Sequence, residues 1–202
     1  MGYETNCLIE TDGQRHEGRA LLETDEIIVR GPLRLRIPLK TISAVAVSNG
    51  RLEVRHAGGS AVLHLGDQAA RWAERIRSPK SRLEKMGISA TTRVAVVGLD
   101  DAEFRAELEA SGALVSYDRP PKDSRLIVFG AERIEDLERL SKLRTALAPD
   151  GVLWVVHRKG KEGVKDVEIF AAAKTAGLTS TKVARFSETH TAEKLVIPLG
   201  SR

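Results

Sequence analysis

Aromatic residues, cysteines and long apolar stretches are scarce in this 202-residue sequence. Aromatics make up only 4% of the chain, so a core must be built mainly from Val, Leu, Ile and Ala. The single cysteine, Cys7, excludes an internal disulfide and a cysteine-based zinc cluster, and it makes a reducing, cytoplasmic setting the default expectation. No apolar run reaches about 18 residues and the first residues already carry charge, so we expect neither a membrane span nor a secretory signal.

A strong excess of charge of one sign is also absent. The chain has 32 basic and 28 acidic residues, which gives +4 and a pI near 9.3. Residues 1–80 contain 12 basic and 10 acidic side chains, and residues 81–202 contain 20 and 18, so neither half is a basic module. The densest basic stripe offers no aromatic side chain on which a base could stack. That stripe consists of Arg30, Arg34, Arg36 and Lys40. We expect no nucleic-acid partner, and a weak nucleic-acid or anion binder stays as an alternative.

Short extended segments dominate residues 1–65. About seven of them are separated by turn signals such as Asn49-Gly50. The clearest segment, residues 33–40, alternates apolar and polar side chains with the period of a strand that buries one face. Over residues 67–77 the apolar spacing becomes helical, and Pro79 follows. This half therefore predicts a small antiparallel β-structure closed by one amphipathic helix.

Seven short strands followed by one helix resemble the pleckstrin-homology-like barrel that GRAM-type domains share. The resemblance covers residues 1–78 and places Trp72 where such domains commonly carry a tryptophan on the helix. It implies that the helix plugs one open end of the barrel. The first hairpin loop, residues 10–16, mixes charges of both signs, so we expect no binding to phosphoinositide membranes through it.

Residues 91–202 alternate short apolar strands with amphipathic helices. The predicted strands are Val94–Val97, Ala113–Tyr117, Leu126–Phe129, Val152–Val156, Lys182–Phe186 and Lys194–Leu199. The predicted helices are Ala102–Glu109, Ile134–Leu147 and Val167–Ala176. This alternation predicts a three-layer α/β domain with a mostly parallel sheet, and the last two strands, with no helix between them, predict an antiparallel edge. The charged residues 79–90 are interpreted as a linker.

The segment at residues 147–154, Leu-Ala-Pro-Asp-Gly-Val-Leu-Trp, resembles the Leu-x-Pro-Gly-Gly segment that enters a late strand of class I methyltransferases. The antiparallel last strand is also similar to the end of that Rossmann-like fold. The short passage over residues 118–124 indicates that one strand–helix unit is missing. The whole chain resembles an uncharacterised bacterial family whose C-terminal part is a degenerate methyltransferase-like domain, and the resemblance implies S-adenosylmethionine as the cofactor to consider.

The turn after the first strand of this domain argues against that cofactor. A glycine-rich turn would let the backbone approach the ligand closely, but here Gly98 is followed by bulky and charged residues. Asp118 lies 20 positions after Gly98, a spacing at which a carboxylate often binds a ribose, and Gly130 follows the third strand. We expect no cofactor. Under the alternative, a methyltransferase with an atypical loop, Gly98, Asp118 and Gly130 contact S-adenosylmethionine.

Two loops at the carboxyl edge of the predicted sheet are the remaining candidate sites. The loop after the fourth strand carries Arg158, Lys159 and Lys161 before a helix and could hold an anion. The loop after the next strand carries Glu188 and His190, which could act as acid and base in a closed pocket. Solvated polar loops are the alternative for both.

No metal site is predicted, because the remaining histidines do not share the spacing of metal ligands. They are His16, His56 and His64. The leading hypothesis is a non-catalytic two-domain protein that serves binding or assembly, with a protein partner or a second copy of itself.

Overall fold

The computed structural model of the chain describes residues 3–160 and 162–201. The chain divides into two compact units, one up to Lys80 and one from Ser81 onward. Among the described helices, none combines the length and the apolar character needed to cross a membrane.

The first unit is built on a curled antiparallel sheet of seven strands. They are β1 (Tyr3–Thr11), β2 (Gln14–Leu22), β3 (Glu26–Arg30), β4 (Leu35–Pro38), β5 (Ile42–Ser48), β6 (Arg51–His56) and β7 (Gly59–His64). Their order is β4-β3-β2-β1-β7-β6-β5, so two meanders join where β1 pairs with β7. The hairpin turns at Asp12-Gly13 and Asn49-Gly50 have positive φ at both residues, the geometry that two-residue hairpins require.

Helix α1 (Ala69–Arg77) covers part of this sheet. Its apolar face buries Trp72, Ala73 and Ile76, and the helix packs against β5 and β6. The helical spacing in the sequence therefore predicted both the helix and its buried side correctly.

The second unit alternates strands and helices around a six-stranded sheet. Its helices are α2 (Arg82–Met86), α3 (Ala102–Ser111), α4 (Arg139–Ala146) and α5 (Asp166–Thr175). Its strands are β8 (Arg93–Val97), β9 (Leu114–Tyr117), β10 (Ser124–Gly130), β11 (Leu147–Arg158), β12 (Thr179–Arg185) and β13 (His190–Val196). Buried residues of α2 and α3 pack on one face of the sheet and those of α4 and α5 on the other, which gives three layers.

The sheet order is β12-β13-β11-β10-β8-β9. Strands β9, β8, β10 and β11 are parallel, as the alternating pattern predicted. The β12–β13 hairpin forms an antiparallel edge of the sheet, as predicted. The last strand, β13, is antiparallel to both of its neighbours. It returns into the gap between β11 and β12, where it gains a hydrogen-bonded ladder on both sides, and β12 becomes the edge strand.

Part of the segment interpreted as a linker belongs to the second unit. Helix α2 begins with a capping box in which Ser81 and Glu84 satisfy each other's backbone amides. Leu83 and Met86 are buried in the core of that unit, and the Trp154 indole donates a hydrogen bond of 3.1 Å to the Met86 carbonyl. Exposed charged residues such as Glu84 account for part of the charged composition of this segment.

The long helix predicted over residues 134–147 is divided. Residues Ile134–Glu138 form a 3-10 turn, and α4 follows it directly. Leu137, Leu140 and Leu143 are buried as the stripe predicted, whereas Ile134 is exposed. Ile134 is the first residue of the 3-10 turn and therefore lies at the end of the element, with no preceding turn to cover it.

Candidate functional site

The carboxyl ends of β8 and β10 mark the point in this sheet where a ligand would be expected. The chain runs outward from β8 to β9 on one side and from β10 to β11 on the other, so the strand order reverses between β8 and β10. Open α/β sheets bind ligands in the crevice outside the carboxyl ends of the strands at such a switch point. The candidate cofactor residues of the sequence analysis lie at or beside this point.

Two main-chain segments approach each other closely at this point. Gly98 follows β8 with φ +59°, and Gly130 is the last residue of β10. A Cβ atom at position 130 would overlap the Gly98 carbonyl oxygen and would lie 2.9 Å from the Leu99 Cα. The turn after β8 therefore crosses directly over the end of β10, and position 130 requires a glycine because of this close approach.

The Arg139 side chain lies against the same turn. Arg139 is the first residue of α4, and its guanidinium carbon is 5.3 Å from the centroid of the Phe129 ring. One of its nitrogens is 3.0 Å from the position that a Cβ would take at Gly98. Two backbone segments and one arginine are thus in contact directly between the ends of β8 and β10, and a cavity of about 450 Å³ lined by Val97 and Arg139 lies beside them.

A cavity of about 490 Å³ lies to the side of this contact and is lined by both Gly98 and Asp118. Asp118 has φ +61° and donates its backbone N–H to the Val96 carbonyl at 2.8 Å. Arg105 borders the cavity, with its guanidinium 5.5 Å from the Tyr117 ring centroid and 3.6 Å from an Asp100 carboxylate oxygen. Two of the three candidate cofactor residues therefore share a cavity, and the third lies under the crossing turn.

The basic loop after β11 holds its described cations in internal contacts. The Lys159 ammonium donates to the carbonyl oxygens of Ser187 and Glu188 at 2.8 and 3.2 Å. Arg158 lies 3.8 Å from the carboxylate of Glu162. Lys161 lies outside the described residues. The two loops lie next to each other at one edge of the sheet, as expected, and the Lys159 ammonium is hydrogen-bonded to the main chain of the second loop.

The candidate acid and base of that second loop have other partners. A Glu188 carboxylate oxygen lies 3.8 Å from the Arg185 guanidinium, and His190 Nε2 lies 3.5 Å from Glu132. His190 is the first residue of β13 and not part of the turn. Within the described part of the chain, no hydrogen bond or ion pair connects Glu188 to His190.

A buried polar group on the α5 side of the sheet was not found from the sequence. It consists of His157, Glu193 and Asp166, and each brings one nitrogen or carboxylate oxygen to within 4.8 Å of the other two. His157 is 2% exposed and Glu193 is fully buried, whereas Asp166 at the start of α5 reaches solvent. Burial raises the pKa of Glu193, and a hydrogen bond from Ser180 opposes this in part. Burial lowers the pKa of His157 because it penalises the imidazolium.

One signal in the sequence indicated these positions. Glu193 precedes Leu195 and Ile197 at strand spacing, so a carboxylate occupies a place in an otherwise apolar alternation. His157 follows Leu153 and Val155 in the same way. A polar residue on the buried face of a strand needs a hydrogen-bonding or charged partner, so such a residue in an apolar alternation indicates a buried polar contact.

Comparisons with known proteins give one family and several partial structural similarities. No curated protein matches the sequence. Similar solved structures include a TehB-like SAM-dependent methyltransferase from Corynebacterium glutamicum, with 13% identity over 65% of this chain and 97% of that chain and a TM-score of 0.45. A SAM dependent methyltransferase from Aquifex aeolicus has 15% identity over 57% of this chain and 87% of that chain, with a TM-score of 0.46. The C-terminal domain of an unknown protein from Leishmania infantum has 14% identity over 38% of this chain and 80% of that chain, with a TM-score of 0.33.

The family match covers most of the second unit. A family described as "Protein of unknown function (DUF3052)" matches residues 84–199, which is more than half of the chain. This match agrees with the resemblance to an uncharacterised family, and the chain belongs to DUF3052.

Proposed function

We propose that this protein is a cytoplasmic binding or assembly module without methyltransferase activity. The observation that carries the proposal is the contact between the Gly98 turn and Gly130. S-adenosylmethionine would need a turn whose backbone leaves room for the ligand beside the strand ends. With the carbonyl of Gly98 lying on Gly130, and Arg139 beside them, a ligand at the switch point would have to displace main chain.

The candidate acid–base pair supports the same proposal. General acid–base catalysis needs side chains that can reach a substrate proton and that share one pocket. Glu188 contacts Arg185, and His190 contacts Glu132 on a different loop. The Lys159 ammonium donates to two carbonyl oxygens, so two of its three N–H donors are already used within the protein. These contacts favour a structural role for the two loops that follow β11 and β12.

The partner that we propose is a protein, including a second copy of this chain. Three large apolar side chains are exposed on α5 and on the edge strand β12 that packs against it. They are Val167, Phe170 and Val183, exposed by 68%, 44% and 55%. Exposed apolar side chains on neighbouring elements are typical of protein interaction sites.

For the first unit, we infer a pleckstrin-homology-like barrel that has no phosphoinositide site. Its seven-strand order, its curl and the following helix α1 support this assignment. Glu10 in the first hairpin pairs with His64 at 2.7 Å and with Arg15 at 3.4 Å. A carboxylate at this place opposes the binding of an anionic headgroup.

The alternative function is that of a S-adenosylmethionine-dependent methyltransferase with an atypical loop. It is favoured by one observation, the cavity that Gly98 and Asp118 share. In that alternative the Asp118 carboxylate would accept hydrogen bonds from the ribose hydroxyls, and the ligand would lie beside the crossing turn instead of over it.

Isothermal titration calorimetry with S-adenosylmethionine and S-adenosylhomocysteine separates the two functions. We expect no saturable heat for the full chain with either ligand at concentrations up to about 1 mM, which corresponds to binding weaker than about 4 kcal/mol. Asp118→Ala is the matched variant, since it removes the ribose acceptor from an exposed turn. Saturable binding by the native chain that disappears in Asp118→Ala would establish the alternative and contradict the proposal.

A further inference from the structure

The group formed by His157, Glu193 and Asp166 has a defined position in the second unit. His157 pairs with Thr191 across the β11–β13 ladder, and Val155 pairs with Glu193. Side chains two positions apart on a strand share a face, so His157 and Glu193 are diagonal neighbours on one face of the sheet. That face carries the core on which α5 packs, and α5 begins with Asp166.

Two buried atoms of this group have no hydrogen-bond partner among the described residues. They are Nε2 of His157 and Oε1 of Glu193. Leaving a buried polar atom unpaired is unfavourable, and more so for a charged group. Ligand atoms of the two side chains lie within 4.8 Å of one another, so one ligand could partner both.

The other atoms of the same side chains are held by hydrogen bonds. Nδ1 of His157 lies 3.0 Å from the Val164 carbonyl oxygen. Because a carbonyl can only accept, Nδ1 carries the proton and Nε2 presents its lone pair. The Ser180 hydroxyl donates to Oε2 of Glu193 at 3.0 Å, which leaves Oε1 free to coordinate. Metal-binding histidines and carboxylates are typically oriented by such outer hydrogen bonds.

We propose that His157, Glu193 and Asp166 bind a divalent transition-metal ion, for which Zn²⁺ is the best match. Their ligand atoms lie within 4.8 Å of one another, and Asp166 Oδ1 is 3.8 Å from His157 Nε2. One imidazole nitrogen and two carboxylate oxygens suit Zn²⁺, whereas Mg²⁺ and Ca²⁺ prefer ligand sets made only of oxygen. Two carboxylates balance the charge of the ion.

The exposed carboxylate gives the site access to solvent. The Asp166 side chain is 63% exposed, while the other two ligands are buried. An ion can therefore enter from the Asp166 side, and a water molecule can complete four-coordination there. Three protein ligands with one open position are the usual arrangement of a zinc site that binds a further small ligand.

The proposal is tested with Zn²⁺ and the full chain after treatment with a chelator. We expect calorimetry to show one Zn²⁺ bound per chain, a rise in melting temperature with Zn²⁺ but not with Mg²⁺, and visible absorption from bound Co²⁺. Glu193→Gln keeps the shape of the side chain and should weaken Zn²⁺ binding by more than about 100-fold. Ser180→Ala removes only the outer hydrogen bond and should weaken binding by about 10-fold.

Glu162→Gln is the matched control, because it neutralises an exposed carboxylate on the neighbouring loop and should leave Zn²⁺ affinity unchanged. Asp166→Asn alters an exposed ligand and is expected to weaken binding while the fold is kept, so the test holds even if Glu193→Gln fails to fold. Zn²⁺ affinity that is absent in the native chain, or equal in the native chain, Asp166→Asn and Ser180→Ala, would overturn the proposal.

Discussion

Gly130→Ala should destabilise the second unit by about 3 kcal/mol, at the upper end of the range for overpacking. The added Cβ would meet the Gly98 carbonyl oxygen and the Leu99 Cα, both of which are main-chain atoms. A side chain could move aside at small cost, but here the main chain of a turn would have to shift. The expected loss is therefore large for the addition of a single methyl group.

The unit that unfolds can be followed separately. The chain has two tryptophans, Trp72 in the first unit and Trp154 in the second. In a Trp72→Phe background, urea unfolding monitored by fluorescence reports on the second unit through Trp154. Gly200→Ala is the control, because a Cβ at position 200 has no atom within 4 Å, and its effect should stay within about 0.5 kcal/mol. If Gly130→Ala were as stable as the control, the Gly98 turn would not lie on β10 and the crevice would be open.

Arg82→Ala should also cost about 3 kcal/mol, at the upper end of the usual range for a single substitution, because it removes a largely buried cation together with its packing. Arg82 is the first residue of α2, and its side chain is only 9% exposed. Its guanidinium lies 5.2 and 4.8 Å from the ring centroids of Phe104 and Phe186, and its Nε donates to Glu107 at 2.7 Å. Truncation removes the packing of the arginine stem as well as these contacts.

Arg105→Ala is the matched control for that variant. Arg105 also combines an aromatic ring, Tyr117 at 5.5 Å, with a carboxylate, Asp100 at 3.6 Å. Its side chain is 51% exposed and its acidic partner is fully exposed, so the pair should contribute no more than about 1 kcal/mol. Urea unfolding in the same Trp72→Phe background compares the free energies of unfolding of Arg82→Ala and Arg105→Ala. Equal losses would mean that burial does not determine the contribution of Arg82.

The periodicity of the sequence predicted most elements of both units, because each strand and helix buries one face. The apolar stripe of α4 and the alternation in the first unit are patterns of residues that are close in sequence, so they can be recognised without knowledge of the fold. The exposure of Ile134 was missed because burial at the end of an element depends on which neighbours cover it. The insertion of β13 between β11 and β12 was missed because the sequence does not show which gap a returning strand enters. Arg82 was assigned to a linker because its partners, Phe104, Glu107 and Phe186, are distant in sequence.

The candidate site was less predictable than the fold. The scarcity of glycine after β8 drew attention to Gly98, but the close approach to Gly130 follows from the path of the turn over a neighbouring strand. The bond between Lys159 and the carbonyl of Ser187 uses a main-chain acceptor, which every residue offers and no pattern reveals. His157 and Glu193 come together only through the β11–β13 ladder.

The most direct test of the closed crevice is a ¹⁵N–¹H NMR titration of the full chain with S-adenosylhomocysteine. The amide signals of Gly98, Leu99 and Gly130 report on the turn that crosses the end of β10. Because main chain occupies that space, we predict that these signals keep their positions throughout the titration. Saturable shifts of the same three amides, with those of Asp118 moving in parallel, would contradict the account and place the cofactor in the crevice.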